Sequence, residues 1–355
     1  MWFYDILLLN ETQSHEAQKD KKQTWGLAAV SAKQEVLKVL ENNRGQYVSG
    51  EKMAENLGIS RAAIWKAIKG LQDMGYMIDG VRKKGYCLTG QSNRLSLYMI
   101  QPLLKDKYKN IHIYLYDQID STNRAAKELA NIGAPNGTTL IADMQSAGRG
   151  RLGRTFVSPP NSGLYMSVIL QKGIFSDKAI NVTTMTAVAV CRAIEKLTDK
   201  KPQIKWVNDI LVDGKKVCGI LAEASLDVDS QRINRIVIGI GLNISTKESD
   251  FPEEIRGVAG SLYETGFSPI SRNQFAAAII NEVLEGAEQI ETGAYMEEYK
   301  KKCVTLGKRV FFERDGIRYE GEAVSIGDNG ALIVRQDNGV VIPVSFGEVS
   351  VRLVE

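Results

Sequence analysis

Apolar residues recur at helical spacing in the first patterned part of the chain and predict three short helices. The first covers residues 33–40. The second begins after Ser49, whose hydroxyl can cap it, and ends before Gly58, which supplies a tight turn. Ser60 is expected to cap the third helix. Two helices joined by a glycine turn form a helix-turn-helix arrangement.

The third helix is predicted to have a basic outer face. Ile64, Ile68 and Leu71 lie at i, i+4 and i+7 and are expected to face inward. After it, apolar runs at 76–78 and 85–88 flank a basic segment and predict a hairpin, the wing of a winged helix-turn-helix domain. The candidate DNA-binding residues are Ser60, Arg61, Ala62, Trp65, Lys66 and Lys69 on the helix, with Arg82, Lys83 and Lys84 at the hairpin tip.

Basic charge is concentrated in this segment. Residues 31–90 hold ten Lys or Arg against six acids, a net charge of +4, although the whole chain carries only +3. Such an imbalance is typical of a surface that contacts phosphates. The alternative is a small dimerisation or docking module, which the aromatic side chain of Trp65 would also suit.

The remaining chain mixes strand and helix patterns without a regular repeat. Strands are predicted over 111–116, 164–170, 204–212, 216–224 and 235–245, and helices over 123–132, 179–197 and 274–291. This order predicts an α+β fold, a mixed sheet with helices on one side. From residue 306, short alternating runs separated by Asp-Gly and Asp-Asn-Gly turns predict a small antiparallel, SH3-like β-barrel.

These patterns divide the chain into four parts. We expect a poorly ordered extension over 1–31, a winged helix-turn-helix DNA-binding domain over 32–90, a central mixed-sheet domain over 91–304 and the C-terminal barrel over 305–355.

The numbers and positions of cysteine and histidine argue against several kinds of functional site. The four cysteines are scattered without a Cys-x-x-Cys pair, and only two histidines are present. Disulfide frameworks, zinc sites and His-based catalytic triads are therefore not indicated. No apolar run is long enough for a membrane span, and no secretory signal is recognisable. We expect a cytoplasmic protein without a membrane partner.

One loop carries the most distinctive chemistry. From Gln145 to Arg154 the chain reads Gln-Ser-Ala-Gly-Arg-Gly-Arg-Leu-Gly-Arg, with three guanidinium groups and no carboxylate. Arginine suits phosphate and carboxylate oxygens, and glycine lets the backbone approach a ligand closely. We expect this segment, the Arg loop, to be mobile until an anionic small molecule orders it. A solvated basic turn or a nucleic-acid contact is the alternative. Because no Walker-type loop or complete dinucleotide fingerprint is present, nucleotide binding would depend on the Arg loop.

Four segments taken together resemble the catalytic domain of biotin protein ligases. They are the Arg loop, Asp120-Ser121-Thr122-Asn123, Lys205-Trp206-Val207-Asn208-Asp209 and Gly214-Lys215-Lys216-Val217-Cys218-Gly219. With the helix-turn-helix segment, the chain is similar to bifunctional ligases that also repress the biotin operon. The resemblance covers roughly residue 32 to the C-terminus and implies a class II synthetase-like central fold. One departure is that the family usually has Pro where this chain has Val207.

The resemblance implies roles for individual residues. The biotin pocket would be lined by Ser121, Thr122, Asn123, Gln145, Gly148, Arg149, Gly150, Arg151 and Lys216. ATP and the adenylate would be bound by Arg149, Arg151, Arg154, Lys205, Asn208 and Lys216. The catalytic residues would be Lys216, Arg149, Arg151 and Asp209. Asn208 and Asp209 would hold magnesium, or Asp209 would orient the incoming lysine amine.

Sequence alone leaves some of these roles open. Ser121 and Thr122 would serve equally well as helix-capping residues. Trp206 is expected to contribute packing rather than chemistry. Lys215 is expected to point away from Lys216, because adjacent residues of a strand face opposite sides.

The implied reaction activates biotin before transfer. Its carboxylate would attack the α-phosphorus of ATP, release pyrophosphate and leave biotinyl-5′-AMP, from which biotin passes to a lysine of a biotin carboxyl carrier protein. The family also implies an adenylate-bound homodimer that binds operator DNA, and a single surface used for both the dimer and the acceptor protein. The alternatives are a ligand-sensing transcription factor without ligase activity and a lipoate-type acyl ligase. Loss of Lys216 or of the Arg loop would favour the first, and both are present.

Overall fold

The computed structural model describes residues 32–73, 76–89, 94–175, 179–227, 232–314, 316–345 and 352–353. The extension expected over 1–31 lies outside these residues. The chain divides after Gln91 into two compact units, and each is described by itself.

The first unit contains three helices and a hairpin, as the sequence predicts. The helices are α1 (Ala32–Asn42), α2 (Gly50–Leu57) and α3 (Arg61–Asp73), and the antiparallel strands are β1 (Ile78–Val81) and β2 (Gly85–Leu88). The backbone amides of Lys52 and Ala63 donate to the predicted capping hydroxyls of Ser49 and Ser60, and Gly58 ends α2 in the left-handed conformation. The predicted winged helix-turn-helix arrangement is confirmed.

The second unit is built on a seven-stranded mixed sheet. Its strands are β3 (Ile113–Ile119), β4 (Thr139–Gln145), β5 (Gly163–Phe175), β6 (Gln203–Lys205), β7 (Asp209–Val212), β8 (Lys215–Asp227) and β9 (Arg232–Asn243). They are arranged in the order β3-β4-β5-β9-β8-β7-β6. Only β3 and β4 pair in parallel, and the other neighbours are antiparallel. The predicted α+β class is confirmed.

Helices cover both faces of this sheet, which corrects the prediction of helices on one side. The described helices of the unit are α4 (Leu97–Ile100), α5 (Thr122–Asn131), α6 (Ala179–Leu197), α7 (Arg272–Glu288) and α8 (Met296–Lys302). Ala126 of α5 packs with Leu140 in one cluster, whereas the neighbouring Ile141 belongs to the main core with α6 and α7. Since successive strand residues face opposite sides, β4 is buried on both faces.

The predicted strand over 204–212 is also corrected. It consists of two short strands, β6 and β7, that pair antiparallel with Lys205 opposite Asp209. The three residues between them form the turn, and the peptide bond from Trp206 to Val207 is cis. The turn places Trp206, Asn208 and Asp209 at one end of a hairpin rather than along one strand.

The C-terminal part forms the antiparallel sheet that its turn pattern predicts. Its strands are β10 (Arg309–Arg314), β11 (Ile317–Ile326), β12 (Leu332–Arg335), β13 (Val341–Val344) and β14 (Arg352–Leu353), in the order β13-β12-β11-β10-β14. Val310, Phe312 and Leu332 belong to the same buried cluster as the central sheet. No described helix is long and apolar enough to cross a bilayer.

Candidate functional site

A cavity of about 780 Å³ lies beside the central strands and collects residues from distant parts of the chain. All predicted site residues of the central segment except Gly148 line it, namely Ser121, Thr122, Asn123, Gln145, Arg149, Gly150, Arg151, Arg154, Lys205, Asn208, Asp209 and Lys216. Gly148 is buried next to the cavity wall, where an added Cβ would lie 2.3 Å from the carbonyl oxygen of Phe156. The structure therefore brings the four predicted segments to one place.

One end of the cavity is polar and uncharged. Ser121 is the N-cap residue of α5, but its side chain makes no capping hydrogen bond. Gln145 Oε1 accepts from the backbone amide of Thr122 at 2.9 Å and from its hydroxyl at 3.1 Å. Gln145 Nε2 donates to Ser158 Oγ at 3.0 Å. The capping alternative therefore does not account for the side chain of Ser121, and short hydroxyls and amides face the cavity instead.

Asn123 is held by protein groups on both sides of its amide. Its Nδ2 donates to Glu223 at 2.9 Å and to the carbonyl of Leu221 at 3.3 Å. Its Oδ1 accepts from the hydroxyl of Ser167 at 2.6 Å. Both N–H groups are thus used within the protein, so Asn123 is placed to orient its neighbours as well as to line the cavity.

Glycines on β8 and β9 leave space beneath the cavity. A Cβ added at Gly239 would lie 2.3 Å from Asn123 Oδ1, and one added at Gly241 would lie 2.4 Å from the ring of Phe156. Gly219 on the adjacent strand faces the same ring. Because Gly239 and Gly241 carry no side chain, the side chains of Asn123 and Phe156 fit against these strands.

The Arg loop forms a turn with its own backbone hydrogen bonds. Gly150 donates to the carbonyl of Arg154 at 2.7 Å, and Phe156 donates to that of Gly148 at 2.9 Å. The glycines permit this compact turn, and both hydrogen bonds lie within the segment 148–156. Arg149 and Arg154 are exposed, and neither pairs with a carboxylate among the described residues.

Cations and the carboxylate of Asp209 meet at the other end of the cavity, whose lining also includes Glu254. Lys216 Nζ lies 2.6 Å from Asp209 Oδ1. Arg151 donates to Asn208 Oδ1 at 3.2 Å, and burial lowers the pKa of its guanidinium, which remains charged at neutral pH. Asn208 Nδ2 in turn donates to the carbonyl of Ile220 at 2.9 Å. This end is suited to binding an anionic group.

Lys215 and Lys216 diverge, as the alternation of a strand requires. Lys215 pairs with Glu264 at 2.9 Å and does not line the cavity, whereas Lys216 does. The hydrogen bond with Glu264 raises the pKa of Lys215. The positions of the two lysines agree with the expectation that Lys215 points away from Lys216.

Trp206 connects the central sheet to the C-terminal part. Its indole Nε1 donates to the carbonyl of Gly330 at 3.1 Å, and its backbone amide donates to Thr305 Oγ1 at 2.9 Å. The side chain is buried and also forms part of the cavity wall. This agrees with the expected packing role.

Sequence reasoning missed several residues around the cavity. Phe156, Phe251 and Val258 line it, and Ser167 and Glu223 lie behind it. The glycines at 239 and 241, two residues apart on one face of a strand, were the one local sequence signal that other groups pack closely against that face. The other residues carry no motif, because their position depends on contacts between distant segments.

The residues predicted to bind DNA are displayed on the surface of the first unit. Arg61, Ala62, Trp65, Lys66 and Lys69 are exposed on one side of α3, and Ser60 is exposed at its N-terminus. Arg82, Lys83 and Lys84 are exposed between β1 and β2. The large apolar surface of Trp65 is 60% exposed. The unit therefore presents a basic helix face and a basic hairpin tip.

The two residues considered for magnesium are engaged with other groups. The carboxylate of Asp209 contacts Lys216, and the amide of Asn208 lies between Arg151 and a backbone carbonyl. No group of three or more His, Cys, Asp or Glu that could hold a metal occurs in the described part of the chain. In this arrangement the residues do not fit a preformed magnesium site.

Family models match three parts of the chain. Residues 33–87 match the HTH domain, residues 115–243 the Biotin/lipoate A/B protein ligase family, and residues 305–352 the Biotin protein ligase C terminal domain.

Relatives with the same organisation span most of the chain. It is 34% identical over 316 residues to Bifunctional ligase/repressor BirA of Bacillus subtilis (strain 168), covering 87% of this chain and 95% of the relative. It is 32% identical over 315 residues to the protein of the same name from Escherichia coli (strain K12), covering 88% and 95%. Among solved structures, Biotin protein ligase from Aquifex aeolicus in complex with biotin and ATP matches with a TM-score of 0.58 and 26% identity, over 68% of this chain and 99% of that one. On its fold, its collected site residues and these relatives, the chain belongs to the biotin protein ligase family, in the group that carries an N-terminal helix-turn-helix domain.

Proposed function

We propose that the chain is an ATP-dependent biotin protein ligase that also represses transcription in response to biotin. The observation that carries this is the division of one cavity into a neutral end of hydroxyls and amides and a cationic end with Lys216 and Arg151. A ureido ring offers neutral donors and acceptors, whereas a carboxylate and a triphosphate offer negative charge. Because both groups of residues line one cavity, the site suits biotin and ATP together.

The first step needs charge neutralisation. Biotin's carboxylate oxygen attacks the α-phosphorus, the bond to the bridging oxygen of pyrophosphate breaks, and biotinyl-5′-AMP forms. Two anions approach each other, so cations at the reacting centre stabilise the transition state. We assign this role to Lys216, with Arg149 and Arg151 on the phosphates; Arg154 and Lys205 add positive potential.

The second step transfers biotin to a protein amine. A neutral lysine amine of a biotin carboxyl carrier protein attacks the acyl carbon, AMP leaves with the bonding electrons, and the nitrogen releases one proton to water. The carboxylate of Asp209 is our candidate for orienting this amine. The present pairing of Asp209 with Lys216 means that the amine and Lys216 would share one carboxylate.

Magnesium is proposed to accompany ATP rather than to reside in the protein. Magnesium commonly binds phosphate oxygens and water with only one or two protein carboxylates. Because Asn208 and Asp209 are engaged elsewhere, we derive no catalytic step through the metal.

The ligase activity is tested with purified protein and labelled biotin. Pyrophosphate release should require both biotin and ATP, and label should reach an acceptor carrier domain only when ATP and magnesium are present. Lipoate should neither replace biotin nor compete with it. Label transfer without ATP, or preferential use of lipoate, would contradict the proposal.

The repressor function rests on the first unit. In a helix-turn-helix domain the second helix of the motif enters the major groove, so we propose that α3 is the groove-facing helix and that the hairpin tip contacts phosphates. We propose that Arg82, Lys83 and Lys84 provide affinity, and that Arg61 and Lys66 affect base choice. We also propose that adenylate binding favours a homodimer on two-fold related sites, which sedimentation with and without biotin and ATP would measure.

DNA binding is tested on a duplex selected by the wild-type protein from a random pool. Gel shifts over a salt series should show a steep loss of affinity with salt, at a log–log slope of about −0.9 for each phosphate contact. Replacing Arg82, Lys83 and Lys84 together with Ala should flatten the slope without changing base preference. If the slope is unchanged in this variant, or if DNA affinity does not depend on biotin and ATP, the proposed repressor function is refuted and the docking-module alternative is favoured.

A further inference from the structure

A line of polar side chains runs behind the neutral end of the cavity and ends at Glu223. One carboxylate oxygen of Glu223 accepts from Asn123 Nδ2 at 2.9 Å, and the other contacts Lys127 Nζ. Glu223 is not part of the cavity wall, and neither is Ser167, which contacts Asn123 on the other side of its amide. Thr122 and Asn123 are almost completely buried, and Ser167 is fully buried. Each hydrogen in this line is therefore directed by protein groups.

The chemistry of the partners fixes the direction of these hydrogen bonds. The nitrogen of Asn123 faces the Glu223 carboxylate and the carbonyl of Leu221, which can only accept. Its oxygen must therefore face Ser167, whose single hydroxyl hydrogen donates to it at 2.6 Å. The hydroxyl oxygens of Ser167 and Thr122 lie 2.8 Å apart, and with its own hydrogen on Asn123 the Ser167 oxygen can accept the hydrogen of Thr122.

The same logic continues to the cavity. Thr122 has one hydroxyl hydrogen, and it is donated either to Ser167 or to Gln145 Oε1, 3.1 Å away. No hydrogen is then left for a ligand, so towards a ligand the Thr122 hydroxyl can act only as an acceptor. Gln145 Oε1 also receives the backbone amide of Thr122, and Gln145 Nε2 gives one N–H to Ser158. Its second N–H remains a donor. The pocket offers an acceptor at Thr122 and a donor at Gln145, which match the N–H and C=O of a ureido ring.

We propose that Glu223 is a positioning residue that fixes this donor and acceptor pattern and thereby makes the pocket specific for a ureido ring. It acts through Asn123 and Ser167 and does not touch the substrate. The proposal rests on the proposed biotin ligase function and adds a determinant of its substrate choice. Its charge is essential, because a neutral amide at this position would present a donor as readily as an acceptor.

The central test is Glu223→Gln, measured by steady-state pyrophosphate release. The single amide oxygen can then accept from either Lys127 or Asn123. When it accepts from Lys127, the amide nitrogen faces Asn123, and the directions of the hydrogen bonds between Asn123, Ser167 and Thr122 are no longer fixed. We expect the KM for biotin to rise about tenfold, the scale of one misdirected buried hydrogen bond, while kcat and the KM for ATP change less than twofold. The matched control is Lys127→Gln, which removes the ion pair but keeps the carboxylate, and should change the KM for biotin less than twofold.

A double variant separates positioning from general stability. Ser167→Ala interrupts the line between Asn123 and Thr122 and should by itself raise the KM for biotin about tenfold without affecting ATP. In the Ser167→Ala background, Glu223→Gln should add less than twofold, because residues of one network are not additive. Ser167→Ala gives a result even if Glu223→Gln does not fold.

The outcomes that overturn the proposal differ from those that overturn the ligase function. Equal effects of Glu223→Gln and Lys127→Gln, additive effects in the double variant, an unaffected KM in Ser167→Ala or a loss confined to kcat would refute the positioning role. Failure of the wild-type protein to release pyrophosphate with biotin would instead refute the proposed function.

Discussion

Two neighbouring lysines with different surroundings give the sharpest test of the site. We expect Lys216→Met to slow adenylation about a thousandfold and Lys215→Met to change it less than twofold. The two substitutions are identical in chemistry and adjacent in the chain. Only Lys216 lines the cavity, whereas Lys215 pairs with Glu264 away from it.

The magnitude follows from the position of the charge. The side chain of Lys216 is 31% exposed and that of Asp209 is 25% exposed, so water screens this end only in part. A unit charge about 4 Å from the negative charge that develops on the phosphoryl oxygens contributes about 4 kcal/mol at an effective dielectric constant near 20. Since about 1.4 kcal/mol corresponds to a tenfold change in rate, the loss is about a thousandfold.

A second effect should accompany the loss of Lys216. The carboxylate of Asp209, 2.6 Å from Lys216 Nζ in the wild-type protein, would be left without its partner beside the triphosphate. The KM for ATP should therefore rise in Lys216→Met. Adding Asp209→Asn should lower this KM again without restoring the rate, because the repulsion is removed but the stabilising cation is still missing.

Single-turnover pyrophosphate release with excess enzyme measures the chemical step directly. Thermal unfolding of each variant should stay close to that of the wild-type protein, since Lys216 is not part of the buried core. A near-normal rate in Lys216→Met, or equal losses in the two lysine variants, would refute the assignment of the reacting cation.

Three further predictions test other parts of the site. Arg151→Gly should increase escape of the adenylate and labelling of unrelated lysines, because closure and charge neutralisation by the Arg loop retain it; unchanged retention in a filter-binding assay would contradict this. Gly239→Ala should raise the KM for biotin more than tenfold, since the new Cβ would lie 2.3 Å from Asn123, whereas the control Gly257→Ala meets no atom within 4 Å and should have no effect. Trp206→Phe should reduce the free energy of unfolding by about 1–2 kcal/mol, through loss of a buried hydrogen bond to a C-terminal turn; urea denaturation that shows no change would exclude this link.

The local patterns of the chain predicted many of its elements, although not the strand Thr139–Gln145 or the turn within 204–212. Helical spacing and serine caps predicted the three N-terminal helices, and the turns rich in Asp and Gly predicted the C-terminal antiparallel strands. Such signals are local, because caps, turns and one-sided faces depend on residues a few positions apart. The Arg loop was recognisable because three guanidinium groups and three glycines occur there without a carboxylate, whereas the role of Lys216 followed from the resemblance to biotin protein ligases.

Only the tertiary structure decided how the pocket is built. The sequence could not show that β4 is buried on both faces, that 204–212 folds back as a hairpin or that Gly239 and Gly241 make room beneath the cavity. The contact of Asn123 with Glu223 joins residues 100 positions apart. The direction of a hydrogen bond depends on which partner lies opposite, and that partner is supplied by the pairing of strands rather than by any neighbour in the sequence.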